Sequence, residues 1–480
     1  MQIAANCHFR SYYLIFSFLL VEQKRLFAEN IWQLILDVLI LPSKTKEVVM
    51  KQLLFSIISM FLLSPAAMAQ TRASDSTPKA PEGATYTLSD GSTVTKSNET
   101  LSSETQYYNV VQVTKGTLNL NDCTLSKTGT GTSGDNSSFY GNNSALYASG
   151  SNSSVNMTGG SIITSSKGAN AVFATNNATI TVSDITIDNS QSVSRGLHAT
   201  FGGTINASNV NITTRKDTSS TVATDRGGGT VMVSGGTLTA MGDKSAVLYS
   251  TGVITANNLT GVSEKGPIVT VEGANYAFVN DCQMTSGSSK RGILLHQSNS
   301  GDAEGTKPYA TITNSSLTLT DSNAPLCYVE NCTATLTLTD VTLKVPSGLL
   351  MSVPNSSKGN GSTGTIVLET TKNSWEYAGT VETGTENKLA VTVGENVTWT
   401  LTADTYVTTL TNNGVINKNG YSLTYGSLSG NGTINESTGI NEVRQTTIDS
   451  NAPAYTLNGT RAGSSTKGII IKNGKKVAIK

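Results

Sequence analysis

Short apolar runs alternate with polar turns along the middle of the chain. In each run, a small residue and two or three apolar residues lead to a polar corner, and a turn rich in Gly or Asn follows. The clearest runs are 171–175, 196–200, 246–250, 268–272 and 292–297. Their polar corners, taken as Thr175, Thr200, Thr224, Ser250, Glu272 and Gln297, are separated by 25, 24, 26, 22 and 25 residues. A near-constant period of this length is typical of a solenoid.

Two more short strands are predicted after each of these runs. Residues 179–182 and 185–187 follow the run at 171, and residues 204–207 and 210–212 follow the run at 196. Apolar residues at alternate positions would point inward, and Thr, Ser and Asn would point outward. The pattern predicts an all-β chain, a right-handed parallel β-helix solenoid with three short strands per coil, the hand following from the general rule for parallel crossovers. A β-sandwich would have longer strands without this period.

The pattern divides the chain into five segments. They are an upstream extension at 1–49 that either precedes the true start or belongs to a long leader, a signal peptide at 50–69, an N-terminal cap at 70–105, the parallel β-helix at 106–436, and a linker with a small C-terminal β tail at 437–480. The signal peptide is predicted from a basic start at Lys51, an apolar run at 53–63 and a small-residue ending at Ala69. The mature protein is therefore expected to be secreted or displayed on the outer surface, with no integral membrane segment after cleavage.

Composition narrows the function classes. The 480 residues have a formal net charge of zero and only 14% charged residues, without a basic stripe, which argues against nucleic acid as a partner. No C-x-x-C pair is present, so a zinc or thioredoxin-type site is not expected. Cys327 and Cys332 are close enough in sequence either to bridge a turn or to serve as small apolar residues inside the coil.

Few residues suggest chemistry. The chain has three His, and the two that follow the signal peptide, His198 and His296, are far apart in sequence, which disfavours a His-metal site. No nucleophile elbow or phosphate-binding loop is present, and we expect no metal and no cofactor.

An acidic stack is the strongest candidate site. Asp225 and Arg226 follow one corner, Glu272 occupies a corner two coils on, and Asp302 begins the next loop. Corners two coils apart would lie roughly 9–10 Å from each other, near the upper end of the carboxylate separation in inverting glycosidases. Arg226 could lower the pKa of one carboxylate and burial beside Tyr249 could raise another. The same charges could equally pair with each other as structure.

These positions give two sets of candidates. The catalytic candidates are Asp225, Glu272 and Asp302, and the binding candidates are Asp225, Arg226, Tyr249, Glu272, Gln297 and Asp302.

Four resemblances refine the expectation. The coil architecture is similar to that of pectin-lyase-like proteins, although the paired-Asp and Gly-His-Gly signatures of the hydrolases are absent. Residues 410–416 and 428–434 resemble the closing coils of autotransporter adhesins, and residues 455–480 resemble the C-terminal sorting tail of secreted Bacteroidetes proteins. The phrases 195–200, 223–230, 249–252 and 297–303 are similar to those of uncharacterised secreted bacterial β-helix proteins.

Together these features imply an extracellular or cell-surface, adhesin-like β-helix that binds glycans or partner proteins without catalysis. The expected partner is a polysaccharide or a host or cell-surface glycoprotein. The alternative is a polysaccharide-active enzyme, a glycoside hydrolase or lyase, that uses Asp225 and Glu272. A purely structural spacer is a third possibility.

Overall fold

The computed structural model describes residues 81–131, 135–300, 302–436, 453–463, 467–472 and 475–479, with side chains described except at 135–136 and 475–479. The predicted extension at 1–49 and the predicted signal peptide at 50–69 lie outside the described residues.

Strands account for almost all of the regular structure. The first third contains β1 (Gly83–Leu88), β2 (Thr93–Ser97), β3 (Thr100–Ser103), β4 (Tyr108–Val113), β5 (Gly116–Lys127), the short helix α1 (Asp135–Ser138), β6 (Leu146–Ser149), β7 (Ser153–Thr164), β8 (Val172–Thr175), β9 (Thr179–Ser183), β10 (Thr186–Asn189), β11 (Leu197–Thr200) and β12 (Thr204–Thr214). The middle contains β13 (Val222–Asp225), β14 (Thr230–Ala240), β15 (Leu248–Ser250), β16 (Val253–Asn257), β17 (Thr260–Ser263), β18 (Val269–Glu272), β19 (Tyr276–Asn280), β20 (Gln283–Ser286), β21 (Ile293–His296), β22 (Tyr309–Thr313), β23 (Ser316–Leu319), β24 (Cys327–Glu330), β25 (Thr333–Thr339) and β26 (Thr342–Lys344). The last third contains β27 (Leu349–Val353), β28 (Thr363–Glu369), β29 (Trp375–Ala378), β30 (Thr380–Thr383), β31 (Lys388–Val393), β32 (Val397–Thr400), β33 (Thr405–Asn412), β34 (Val415–Asn417), β35 (Leu423–Ser429), β36 (Thr433–Asn435), β37 (Ala454–Thr456), β38 (Gly468–Lys472) and β39 (Lys475–Ile479).

These strands form the predicted parallel β-helix. Sheet 1 has twelve strands in the order β1-β4-β6-β8-β11-β13-β15-β18-β21-β24-β27-β30, each paired in parallel with the equivalent strand of the next coil. Sheet 2 has twenty strands and receives the second and third strands of most coils. Sheet 3 consists of β29, β32, β34 and β36 near the end of the solenoid. A typical coil, such as β8, β9 and β10, therefore contributes three short strands, as predicted.

The core is a set of apolar rows that run through the coils. Val155, Ile180 and Ile205 lie in register on consecutive strands, and all three are fully buried. Their neighbours Thr181 and Asn206 point outward. The alternation of period two fixes this orientation, since a slip of one residue would expose every apolar side chain.

Cys327 and Cys332 belong to this core. Both are buried free thiols, and burial raises the pKa of Cys332 to about 12. The structure thus has these cysteines as small apolar residues inside the coil and not as a bridge.

A column of left-handed residues lies between the two strand segments of each coil in sheet 2, which are joined into one continuous strand in β5, β7, β12 and β14. Each member comes directly after a residue that is paired in register with the adjacent coil, and each has a positive φ. We call it the turn column: Asn98, Asp122, Gly159, Asp184, Asn209, Gly235, Asn258, Asp281, Asn314 and Asp340. Asn and Asp tolerate this conformation better than other residues with a Cβ. Neighbours in the column also bond to each other, since Asn209 Nδ2 donates to Asp184 Oδ1 at 2.6 Å.

The last described strands form a separate antiparallel sheet. β37 pairs with β38, and β38 pairs with β39 so that Lys472 lies opposite Lys475. This is the predicted C-terminal β tail, although the predicted Asn473-Gly474 turn itself lies outside the described residues. Over the described ranges, no helix has the length and hydropathy of a membrane span.

Candidate functional site

The predicted acidic stack lies on the outer face of sheet 1. There, β11, β13, β15, β18 and β21 follow one another in adjacent coils. Register places His198 beside Ala223, Ala223 beside Tyr249, and Glu272 beside His296. Residues from five coils thus meet on one surface because the period of the sequence stacks equivalent positions.

The register corrects three of the predicted corners. Asp225 pairs with Thr200, and His296 pairs with Glu272. Thr224 pairs with the inward-facing Ala199, so it belongs to a core row. Ser250 pairs with the inward-facing Val271, so it also belongs to a core row. The corners assigned to Thr224, Ser250 and Gln297 were therefore wrong by one residue, because each has another polar residue beside it and the pattern alone does not choose between the two.

Asp225 is buried beside the guanidinium of Arg195 and the imidazole of His198. Only 3% of its surface is exposed, and its Oδ2 lies 3.8 Å from Arg195 Nη2 and 3.9 Å from His198 Nε2. Its Oδ1 accepts the backbone N–H of Arg226 at 3.0 Å. Burial raises the pKa of Asp225 to about 7, although Arg195 opposes this rise. The carboxyl group of Asp225 can therefore exchange a proton near neutral pH.

Glu272 is the second buried carboxylate of the stack. Tyr249 Oη donates to its Oε2 at 2.7 Å, and the Ser298 hydroxyl donates to its Oε1. His296 Nε2 lies 3.7 Å from Oε2. Burial raises the pKa of Tyr249 well above its usual value, with the charges of Asp225 and Glu272 adding to the effect. Tyr249 thus remains a hydrogen-bond donor to Glu272.

Arg226 and Asp302 form the more exposed border of the cluster. Arg226 Nη2 lies 2.9 Å from Asp302 Oδ1, and 18% and 22% of the two side chains are exposed. The guanidinium of Arg226 also lies 4.0 Å from the centre of the Phe139 ring. The sequence predicted that Arg226 would act on a buried carboxylate. In the structure Arg195 has that role towards Asp225, and the Arg226 side chain binds Asp302.

A segment between β5 and β6 covers the N-terminal side of the cluster. Thr200 Oγ1 donates to the Phe139 carbonyl at 2.9 Å, Arg195 Nη1 donates to Ser138 Oγ at 3.2 Å, and Tyr140 stacks on Phe201. These contacts span about sixty residues of sequence. Because of them, outward-facing residues such as His198 are buried although they lie on the surface of the sheet.

The structure therefore brings together Asp225, Arg226, Tyr249, Glu272 and Asp302 as predicted. Gln297 has a structural role, because its Nε2 donates to the carbonyls of Ala303 and Gly305 at 2.9 and 2.8 Å and so fixes the following loop.

Sequence reasoning missed Arg195, His198, His296, Ser298 and Phe139. For Arg195 and His198 the available signal was their place in the run 195–200, which precedes Asp225 by one coil. Over the described ranges, no group of three or more His, Cys, Asp or Glu side chains is arranged to hold a metal ion.

A second feature lies on the outer face of sheet 2. Most outward positions there are Thr, Ser or Asn, but β14, β16, β19 and β22, which lie in four adjacent coils, carry a cluster of apolar side chains. We call it the aromatic patch: Met232, Val253, Tyr276, Phe278 and Tyr309. The rings of Tyr276 and Phe278 are parallel within 2° with centroids 6.3 Å apart. Tyr309 lies in register with Tyr276.

Hydrogen-bonding side chains border the aromatic patch. Asn280 Nδ2 donates to Asn257 Oδ1 at 3.0 Å, and both lie on the outward side two residues beyond the row of Phe278. Thr311 and Thr313 of β22 also point outward. The patch therefore combines flat ring faces with amides and hydroxyls.

Comparisons of the chain with protein-family models, with curated proteins and with solved structures return no match.

Proposed function

We propose that this chain is an extracellular, adhesin-like β-helix that binds glycans through the aromatic patch, without catalysis. The observation that carries this proposal is the pair of parallel rings, Tyr276 and Phe278, in a patch that is bordered by hydroxyls and amides. Sugars present C–H groups on the faces of their rings, and these pack on the electron-rich face of an aromatic ring. Their hydroxyls require donors and acceptors at the edge of the contact, which Asn257 and Asn280 supply.

The shape of the face favours an extended polymer. Coils repeat at about 4.8 Å, so the patch, with members on four adjacent coils, offers several consecutive contacts to a chain of sugars. The surface is also uncharged over the patch, which favours neutral polysaccharide over an anionic polymer. Partial burial of Tyr276, Phe278 and Tyr309 orders the rings before binding and reduces the entropic cost of binding.

The test is a glycan array followed by affinity electrophoresis of the purified chain in gels that contain the best polysaccharide. Replacing Tyr276 or Phe278 with Ala should weaken binding about tenfold or more, equivalent to about 1.4 kcal/mol. Tyr406→Ala is the matched control, because Tyr406 is an exposed tyrosine on β33, outside the patch. Binding by no glycan, or equal loss in the Tyr406 variant, would contradict the proposal.

Export is part of the same proposal. It rests on the predicted signal peptide at 50–69 and on the resemblance of residues 455–480 to the sorting tail of secreted Bacteroidetes proteins. The antiparallel sheet of β37, β38 and β39 supplies a folded unit for such a tail. Deleting residues 437–480 should leave the protein out of the surface fraction while residues 81–436 remain folded. Unchanged surface display of the deletion variant would contradict a sorting role for residues 437–480.

One observation favours an enzymatic alternative at the charged cluster. Asp225, with a pKa of about 7, could act as a general acid two strands of sheet 1 away from Glu272. Only 3% of each residue is exposed, so a substrate would need to reach them from the border at Arg226 and Asp302. A reducing-end assay on the polysaccharides that bind, with Asp225→Asn and Glu272→Gln, decides this. Release of reducing ends that both variants abolish would replace the non-catalytic proposal.

A further inference from the structure

The last coil of the solenoid has an open strand edge. Among the strands of the described residues, β35 pairs only with β33 and β36 pairs only with β34. The far edges of β35 and β36 therefore present backbone N–H and C=O groups to another strand. Native proteins usually protect such an edge with charged residues or Pro. The seven residues of β35, at 423–429, include no charged residue and no Pro, so this edge is open to pairing.

Two residues of the core rows are uncovered at this edge. Tyr425 and Leu428 lie in register with Val407 and Leu410, which are fully buried. In contrast, 39% of the Tyr425 surface and 46% of the Leu428 surface are exposed. Each coil of a solenoid is stabilised mainly by its neighbours, so an exposed core row indicates a place for one more layer.

The first described coil does not offer a matching surface. Among residues 81–103, no large apolar side chain is exposed to this degree. Lys96 on β2 forms an ion pair with Glu99 at 2.9 Å and lies 4.5 Å from the centre of the Tyr86 ring. A head-to-tail assembly would therefore place an apolar edge against a charged one. The matching surface is the same end of a second copy, which gives a closed two-fold contact.

The last coil is suited to contact with itself. Residues 419–435 contain no Asp, Glu, Lys or Arg, although 14% of the whole chain is charged. Near a two-fold axis each charge would face the same charge of the other copy, and like charges directly opposite each other destabilise a strand pair. Antiparallel pairing of β35 about a centre between Gly426 and Ser427 places Tyr425 opposite Leu428 of the second copy. The symmetry repeats that contact with the two copies exchanged.

We propose that two copies of this chain form a two-fold dimer by antiparallel pairing of β35, with Tyr425 of each copy against Leu428 of the other. Aromatic–aliphatic pairs across antiparallel strands stabilise a sheet. The pairing keeps inward side chains inward, so the axis is normal to sheet 2 and the outer faces of sheet 2 in both copies point to the same side.

The dimer therefore presents both aromatic patches on one face. Five steps between coils separate β22 from β35 in each copy, so the two patches lie roughly 50 Å apart at about 4.8 Å per step. This consequence rests on the proposed glycan binding, whereas the dimer itself does not. Two patches on one face can contact the same polysaccharide, which raises avidity without any new contact within a patch.

The experiment is sedimentation velocity of the purified full chain at about 1–100 µM, a range that suits a small interface. The chain should sediment as a dimer at the upper end of this range. Leu428→Lys places a charge in the contact and should raise the dissociation constant about tenfold or more, equivalent to about 1.4 kcal/mol. Ile163→Lys is the matched control, because 45% of Ile163 is exposed on β7, far from β35 in sequence, and it should leave the constant unchanged. Circular dichroism shows that each variant is folded.

An exchange of charges tests the pairing itself. Tyr425→Glu alone should also weaken the dimer. A mixture of the Tyr425→Glu and Leu428→Lys proteins should form a heterodimer, because the introduced carboxylate then faces the introduced ammonium while the other contact remains Tyr425 against Leu428. A monomeric full chain, an unchanged dissociation constant in Leu428→Lys, or no association in the mixture would each overturn the proposal.

Two controls separate this dimer from its alternatives. A full chain that is monomeric and dimerises only after deletion of residues 437–480 would mean that the chain covers its own edge, which also overturns the proposal. Binding of a short oligosaccharide by a single aromatic patch should persist in the monomeric Leu428→Lys variant. Failure of the dimer and failure of the proposed glycan binding are therefore distinguishable results.

Discussion

His198 Nε2 lies 3.9 Å from Asp225 Oδ2 within the buried part of the cluster, and burial changes their pKa values in opposite directions. The pKa of Asp225 rises from 3.8 to about 7, mainly by burial. The pKa of His198 falls well below 6.5, again mainly by burial and also by the nearby charge of Arg195. Both groups therefore favour their neutral forms near pH 6, as expected where charges lose their hydration.

The first prediction concerns stability against pH. Between about pH 4 and pH 7 folded Asp225 keeps a proton that the unfolded chain has released, so its contribution is present at low pH and is lost as pH rises through about 7. Below about pH 6.5 unfolded His198 gains a proton that the folded chain excludes, so its contribution is lost as pH falls. The two slopes oppose each other between about pH 4 and pH 6.5.

Replacing Asp225 or His198 should separate their two contributions to the pH dependence of stability. In urea unfolding series from pH 4.5 to 7.5, the midpoint of Asp225→Asn should rise with pH relative to the unchanged protein, and the midpoint of His198→Leu should fall with pH. Each shifted pKa unit corresponds to about 1.4 kcal/mol, so differences of a few kcal/mol are expected across the range. Parallel pH profiles for all three proteins would contradict the assigned pKa directions.

The second prediction concerns the bond from Tyr249 to Glu272. Tyr249→Phe removes the hydroxyl that donates to Glu272 Oε2 and leaves a buried carboxylate atom with one partner fewer. The free energy of unfolding should fall by about 1–3 kcal/mol. Tyr328→Phe is the control, since Tyr328 lies further along the same outward row and its ring contacts Arg291. Equal losses of unfolding free energy in the two variants would show that the hydrogen bond from Tyr249 to Glu272 adds no stability beyond that of the control tyrosine hydroxyl.

The third prediction concerns two adjacent glycines in β14. Gly235 has a φ of 74° and belongs to the turn column between Asn209 and Asn258, so Gly235→Asn fits the fold. It should stabilise the protein by about 0.4–1 kcal/mol by restricting the unfolded chain. Gly236 has a φ of 92°, and a Cβ there would lie 2.0 Å from the Val210 carbonyl oxygen.

Gly236→Ala should therefore destabilise the protein by about 2 kcal/mol or more, since backbone must move. Melting temperatures of the two variants measure both effects. A destabilised Gly235→Asn variant, or an unaffected Gly236→Ala variant, would contradict the register of the turn column.

The sequence allowed the solenoid to be predicted because inward and outward positions alternate strictly, as at Ile180 and Thr181. Asp225, Glu272 and Asp302 could be placed together for the same reason, since a fixed period stacks equivalent residues. The turn column was visible as Asn or Asp at fixed intervals but was not recognised, because these residues are also common in ordinary turns.

The rest of the cluster depends on tertiary contacts that have no period. Phe139 and Ser138 reach Arg226 and Arg195 through a non-repeating segment, and its position on sheet 1 is set by packing. The burial that shifts the pKa of Asp225 follows from the same packing. Local sequence therefore identifies the residues at the site but does not determine their electrostatics.

The fourth prediction tests the core register directly. Ile180 is fully buried between Val155 and Ile205 of the adjacent coils, whereas its neighbour Thr181 is exposed. Ile180→Ala should lower the free energy of unfolding by about 2–5 kcal/mol, because it leaves a space in a row that links three coils. Thr181→Ala should change it by less than about 0.5 kcal/mol. Each coil is stabilised mainly by its neighbours, so the loss at Ile180 should appear in hydrogen exchange as weaker protection of β7, β9 and β12. A larger loss for Thr181→Ala than for Ile180→Ala would mean that the strand lies in the opposite register, with every inward and outward assignment of this coil reversed.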